Sequence, residues 1–108
     1  NAIDLPAHTP KPSSLTGQTE SSVTLWESAG GIVEVGVWEC TAGTFTAFRD
    51  GYDEVAQILS GTATITGDDG TTFEVGPGST LVQPDGWRGT WTIHETIRKS
   101  YVIRVAHT

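Results

Sequence analysis

From Val23 onward, turn signals interrupt this sequence roughly every ten residues, and that spacing constrains the fold more than any other feature. Gly30-Gly31, Ala42-Gly43, Asp50-Gly51, Ser60-Gly61, Gly67 to Gly70, Gly76 to Gly78 and Pro84 to Gly86 punctuate the chain. Between them lie short runs rich in Val, Ile, Thr, Phe and Trp. Two of these alternate with period two: Val33, Val35 and Val37 against Glu34, Gly36 and Trp38, and Trp91 and Ile93 against Thr90, Thr92 and His94. Alternation of this kind marks strands with one face more buried than the other. No window keeps a helical period. Short strands at this spacing predict an all-β fold, an antiparallel sandwich or barrel.

At 108 residues the chain is one domain with enough surface to bury a core unaided. Residues 1–22, with Pro6, Pro10, Pro12 and few large apolar groups, read as an extended N-terminal arm, and residues 23–108 as the domain. Thirteen acidic against six basic side chains give a net charge of −7, which disfavours nucleic acid or an anionic membrane as partner. No apolar run is long enough to span a bilayer. The lone Cys40 excludes an internal disulfide and fits a reducing compartment. It reads as a small buried apolar group.

The segments GYDEVAQILSG (51–61) and GPGSTLVQPDGWRGTW (76–91) resemble the two sequence motifs of the cupins. Glu54 and Gly61 match the end of the first motif; Gly78, Pro84 and Gly86 match the second, whereas Gly43 sits one place off its consensus. With GVWECTAGTF (36–45) and ETIRKSYVI (95–103), the likeness points to small single-domain cupins related to (S)-ureidoglycine aminohydrolase and the ethanolamine-utilisation cupin. It spans roughly residues 23–105. It implies a double-sheet jelly-roll barrel, a homodimer, and a bacterial cytoplasmic setting.

The resemblance also implies where a metal would sit, and there the chain departs from it. The ligand positions fall on Phe48, Asp50, Glu54 and Gly89, or on Ala47 and Arg49 under a longer spacing of the first motif. Only Asp50 and Glu54 are donors in the first set. His8, His94 and His107 show no ligand spacing with one another. No cofactor is therefore expected, apart from weak binding of a hard divalent cation at Asp50 and Glu54, for which solvated turn acids are the plainer reading.

Alternation places Glu54 inward with Ala56 and Ile58, and Gly89 on one face with Trp87, Trp91 and Ile93. The expected pocket comprises Phe48, Asp50, Tyr52, Glu54, Trp91, Arg98 and Tyr101. Glu54, assisted by Tyr101, is the candidate acid or base; equally, Glu54 reads as a structural acceptor for a buried Arg. Arg98 reads as the partner of Glu54 or a clamp for a ligand carboxylate, and Lys99 as an edge-strand charge. Trp26, Trp38 and Trp87 read as core or subunit-contact residues. The expected function is binding of a small organic metabolite, an amine or a carboxylate, without the usual metal. The alternative is an aminohydrolase- or isomerase-like enzyme acting on a small ureido or amino compound.

Overall fold

The computed structural model describes residues 3–105. Eight strands run in order: β1 (Thr9–Pro10), β2 (Thr19–Glu27), β3 (Val33–Cys40), β4 (Gly43–Phe48), β5 (Tyr52–Gly67), β6 (Thr72–Val75), β7 (Thr80–Gln83) and β8 (Arg88–Val105). A single 3-10 turn, Ala29–Gly31, joins β2 to β3. Every pairing is antiparallel.

Two long strands build the jelly roll. The first half of β5 pairs with the second half of β8 and with β7, and β3 and β2 continue that layer. The second half of β5 pairs with the first half of β8 and with β6, and β4 completes the other layer. Between the halves the register shifts three times, at Ile58 to Ala63. Gly61 sits at that corner with φ +84°, and a Cβ there would collide with the backbone of Thr96. Only glycine combines that dihedral with that approach.

The core lies between the layers: Cys40, Phe45, Ile58, Ala63, Ile65, Val75, Leu81, Trp91, Ile93 and Ile97. The alternation read from the sequence is the burial pattern of β5, where Glu54, Ala56 and Ile58 are buried and Val55 and Gln57 exposed. Cys40 is fully buried, and burial pushes its thiol up to about 11, so it is inert at neutral pH.

The N-terminal segment differs from the expected arm. Strand β2 begins at Thr19, four residues inside it, and β1 pairs with β2 at Thr9 and Pro10. The described part of the arm folds back on its own barrel: Leu15 N–H donates to the Thr44 carbonyl, Ser21 Oγ donates to the Pro6 carbonyl, and Gln18 is buried. Residues 1 and 2 and His107 lie outside the described residues. Short apolar content did not prevent ordering because backbone groups and Gln18, rather than large side chains, make the contacts.

Candidate functional site

One cavity opens between the layers, about 170 Å³ in volume, lined by Lys11, Ser22, Trp38, Phe45, Arg49, Glu54, Lys99, Tyr101 and Ile103. Glu54 faces it from β5 with its side chain 7% exposed. Its partner is Lys99 of β8, whose Nζ donates to Glu54 Oε2 at 2.5 Å and is equally buried. The Arg49 guanidinium stands 3.7 Å from the same oxygen. Arg49 is held from both ends: its backbone N–H donates to the Trp87 carbonyl, its carbonyl accepts from Gly86 N–H, and its side chain donates to Gln83 Oε1. The turn of the second motif thus aims this arginine.

An aromatic trio walls the other side. Phe45 and Trp91 stack at 5.8 Å between ring centres, and Trp38 meets both edge-on. Lys99 Nζ lies 4.6 Å from the Trp38 ring centre and 4.9 Å from that of Trp91. Lys11 Nζ lies 4.4 Å from the Phe45 centre and pairs with Glu20 at 2.9 Å. Cations over aromatic faces gain about 0.5–2 kcal/mol each, more as water is excluded. Tyr101 Oη donates to Glu34 at 2.9 Å.

Electrostatics follow from these contacts. Burial pushes the Glu54 carboxyl up, but the charges of Lys99 and Arg49 outweigh it and hold the group below its ordinary 4.5. Burial pulls the Lys99 ammonium below its usual 10.5; Glu54 opposes this, whereas Arg49 and Lys11 add to it. Burial and the Glu34 carboxylate raise the Tyr101 phenol to about 12, so it keeps its proton at neutral pH. For Glu54 the sign is that of a depressed acid: its contribution is complete above about pH 4.5 and lost as pH falls through the lower folded value. Glu20 and Glu39 are lowered in the same way. The melting temperature should therefore fall steadily below pH 4.5, and a Glu54→Gln variant should show a shallower acid slope. A pH series of thermal melts checks this.

Several sequence expectations need correcting. Phe48 is exposed and packs under the Arg88 guanidinium, 3.9 Å from its ring centre, outside the Glu54 cavity. Asp50 is exposed and does not line the cavity either, so it shares no site with Glu54. Tyr52 stands behind Arg49, its Oη 3.4 Å from Nη1. Trp91, expected in the pocket, is fully buried and lies under Lys99, 4.9 Å from its Nζ. Arg98 lies on the opposite face of β8, bound to Glu39 at 3.1 Å and to the Ile3 carbonyl. Trp38 packs against the core as read and also lines the cavity, and Trp26, read as core or contact, is 56% exposed.

Lys99, Arg49 and Lys11 were the residues sequence reasoning missed as pocket groups. For Lys99 the signal was present: placing Tyr101 inward puts Lys99, two residues away, on the same face and Arg98 on the other. Nothing in the sequence pointed to Lys11, because its position depends on how the arm returns.

The positions a metal would need are filled differently. At Gly89 a Cβ would collide with the Thr66 carbonyl and come within 2.6 Å of the Trp87 ring. Among the described residues, no cluster of three His, Cys, Asp or Glu side chains is placed to hold an ion. The first-motif Glu54 faces an ammonium instead.

Residues 27–101 match the EutQ-like cupin domain family. The chain belongs to that family. Among solved structures it is similar to an ethanolamine utilisation protein Q from Salmonella typhimurium, with 18% identity and TM-score 0.74 over 93% of this chain and 80% of that one. A protein of unknown function from Pseudomonas syringae gives 22% identity and TM-score 0.81, over 94% of this chain and 45% of that longer one. An ectoine synthase from P. lautus gives 18% identity and TM-score 0.73, over 86% and 69%. Identities this low establish a shared barrel and leave the chemistry to the site itself. None of the curated proteins matches the sequence. Among the described residues no helix is long and apolar enough to cross a membrane.

Proposed function

We propose that this EutQ-like cupin domain binds a small organic anion in its barrel and does so without a transition metal. The observation that carries this is the charge of the cavity wall: Lys11, Arg49 and Lys99 against the single carboxylate Glu54, in a chain whose net charge is −7. Glu20 balances Lys11, and Glu54 balances one of the other two cations, so one positive charge remains for a ligand. The aromatic trio would take the apolar part of the ligand.

The test is a thermal-shift screen of small carboxylates, with Mn, Ni and Zn salts in parallel. A fitting carboxylate at a hundred times its Kd should add about 2.7 kcal/mol of stability. Arg49→Gln should remove most of that gain. Stoichiometric uptake of a transition metal, or a carboxylate shift unaffected by Arg49→Gln, would overturn the reading.

For the assembly we propose a homodimer, as the sequence suggested, through the outer face of the larger layer. Trp26, Val35, Val102, Val55 and Val82 are register neighbours across five strands and form one apolar row. Four of the five are more than 40% exposed, Val82 at 66%. Light scattering should give twice the chain mass, and Val82→Glu with Val102→Glu should give one chain mass without unfolding.

A further inference from the structure

Lys99 is a buried amine that anion binding alone does not explain. Lys99 Nζ reaches the same cavity wall as Arg49, yet its side chain is only 7% exposed and it lies against two aromatic faces. Building on the anion-binding reading, we propose that Lys99 is a covalent-catalysis lysine, whose amine condenses with the carbonyl carbon of a small 2-oxo acid held through its carboxylate by Arg49.

Size, charge and proton traffic each fit that substrate class. A cavity of about 150 Å³ holds benzene, so the 170 Å³ here takes a pyruvate-sized molecule. An amine attacks only as the free base, and burial beside other cations is how proteins obtain one. Burial depresses Lys99, and Arg49 and Lys11 add to the effect. Glu54, 2.5 Å away, is the group to receive the ammonium proton. The nitrogen lone pair then forms the C–N bond while Glu54 passes that proton to the carbonyl oxygen, and the nitrogen returns one of its protons to the Glu54 carboxylate, giving a carbinolamine. Glu54 then protonates the hydroxyl, which leaves as water while the nitrogen lone pair closes the C=N bond, leaving a protonated imine beside the Glu54 carboxylate. One amine and one carbonyl give one imine and one water, with no oxidant or reductant. Trp38 and Trp91, whose faces meet the ammonium, would stabilise the protonated imine in the same way.

The sequence makes the test clean, since Lys11 and Lys99 are its only lysines. The full chain is incubated with pyruvate and cyanoborohydride and its intact mass and peptide map are measured, with lactate as the carbonyl-free control in a parallel melt. The expected result is one adduct, of pyruvic acid less one oxygen, on the Lys99 peptide. Lys99→Arg, verified folded by circular dichroism, should lose it. Modification at Lys11 or the N-terminus instead of Lys99 would overturn the proposal. So would no adduct while pyruvate and lactate both raise the melting temperature, an outcome that leaves anion binding standing. If neither acid shifts the melt and no adduct forms, both readings fall for this ligand class.

Discussion

Lys99→Ala should be among the most damaging single substitutions in this protein, costing about 3–5 kcal/mol of folding stability, because it strands a buried carboxylate. Arg49, 3.7 Å from Glu54, keeps the loss toward the lower end of that range. Glu54→Gln should cost a comparable amount, since it leaves the Lys99 ammonium buried beside Arg49 and Lys11 with only a neutral amide oxygen to accept from it. The double variant Glu54→Gln with Lys99→Met should recover most of the stability lost by Lys99→Ala, as buried ion pairs replaced by well-packed neutral groups usually do. Urea denaturation of Glu54→Gln, Lys99→Met and the double variant gives the coupling energy by a double-mutant cycle. If Lys99→Ala melts like the parent, the pair is solvated and the buried description of the cavity is wrong. The pair matters for function as well. Such a pair adds little net stability, so its presence at the centre of the barrel fits a site in which charge is needed for a ligand.

The second large effect is expected from Gly89→His, the change that would write the missing imidazole back into the second motif. The Thr66 carbonyl and the Trp87 ring already occupy the space of the first side-chain atom. Overpacking of this kind typically costs 1–3 kcal/mol and occasionally more. An imidazole against a backbone carbonyl and an indole should reach about 3 kcal/mol. No metal site should appear, since Phe48 and Asp50 are exposed and Lys99 already holds Glu54. Thermal melts with and without nickel read both effects. A folded variant that takes up stoichiometric nickel would show that the Trp87 ring yields and that the cavity can be made to bind a metal.

Much of the fold was legible because it depends on local chemistry. Most turn glycines end a strand, although β5 runs on through Gly61, and the period-two runs set which faces are buried, so the buried faces of β3, the start of β5 and the start of β8 were readable from the sequence. The inward row Glu54, Ala56, Ile58 followed from the same rule. The arm was misread for the same kind of reason: Thr19 to Ser22 lack bulky apolar groups, so nothing local announces a strand that is held by pairing with β3.

The site was less legible. Glu54 was found from its motif, but Arg98, read as its partner or as a ligand clamp, lies on the opposite face of β8. An inward lysine in an apolar row is costly to bury, and sequence reasoning therefore moved it outward to water. Burial is made tolerable by Glu54, which lies 45 positions away along the chain, and by indole faces supplied by β3 and β8. Arg49 was counted only as a metal-ligand position that lacks a donor, because the turn that aims it belongs to the other motif.

The sequence by itself determined the strand periodicity, the glycine corners and the absence of histidine at Phe48, Asp50, Glu54 and Gly89, since each is a property of residue type and spacing. Only the tertiary structure decided which charges meet. Coulombic pairing depends on distances in space that fall to a few ångströms between residues dozens of positions apart, and no local rule encodes those.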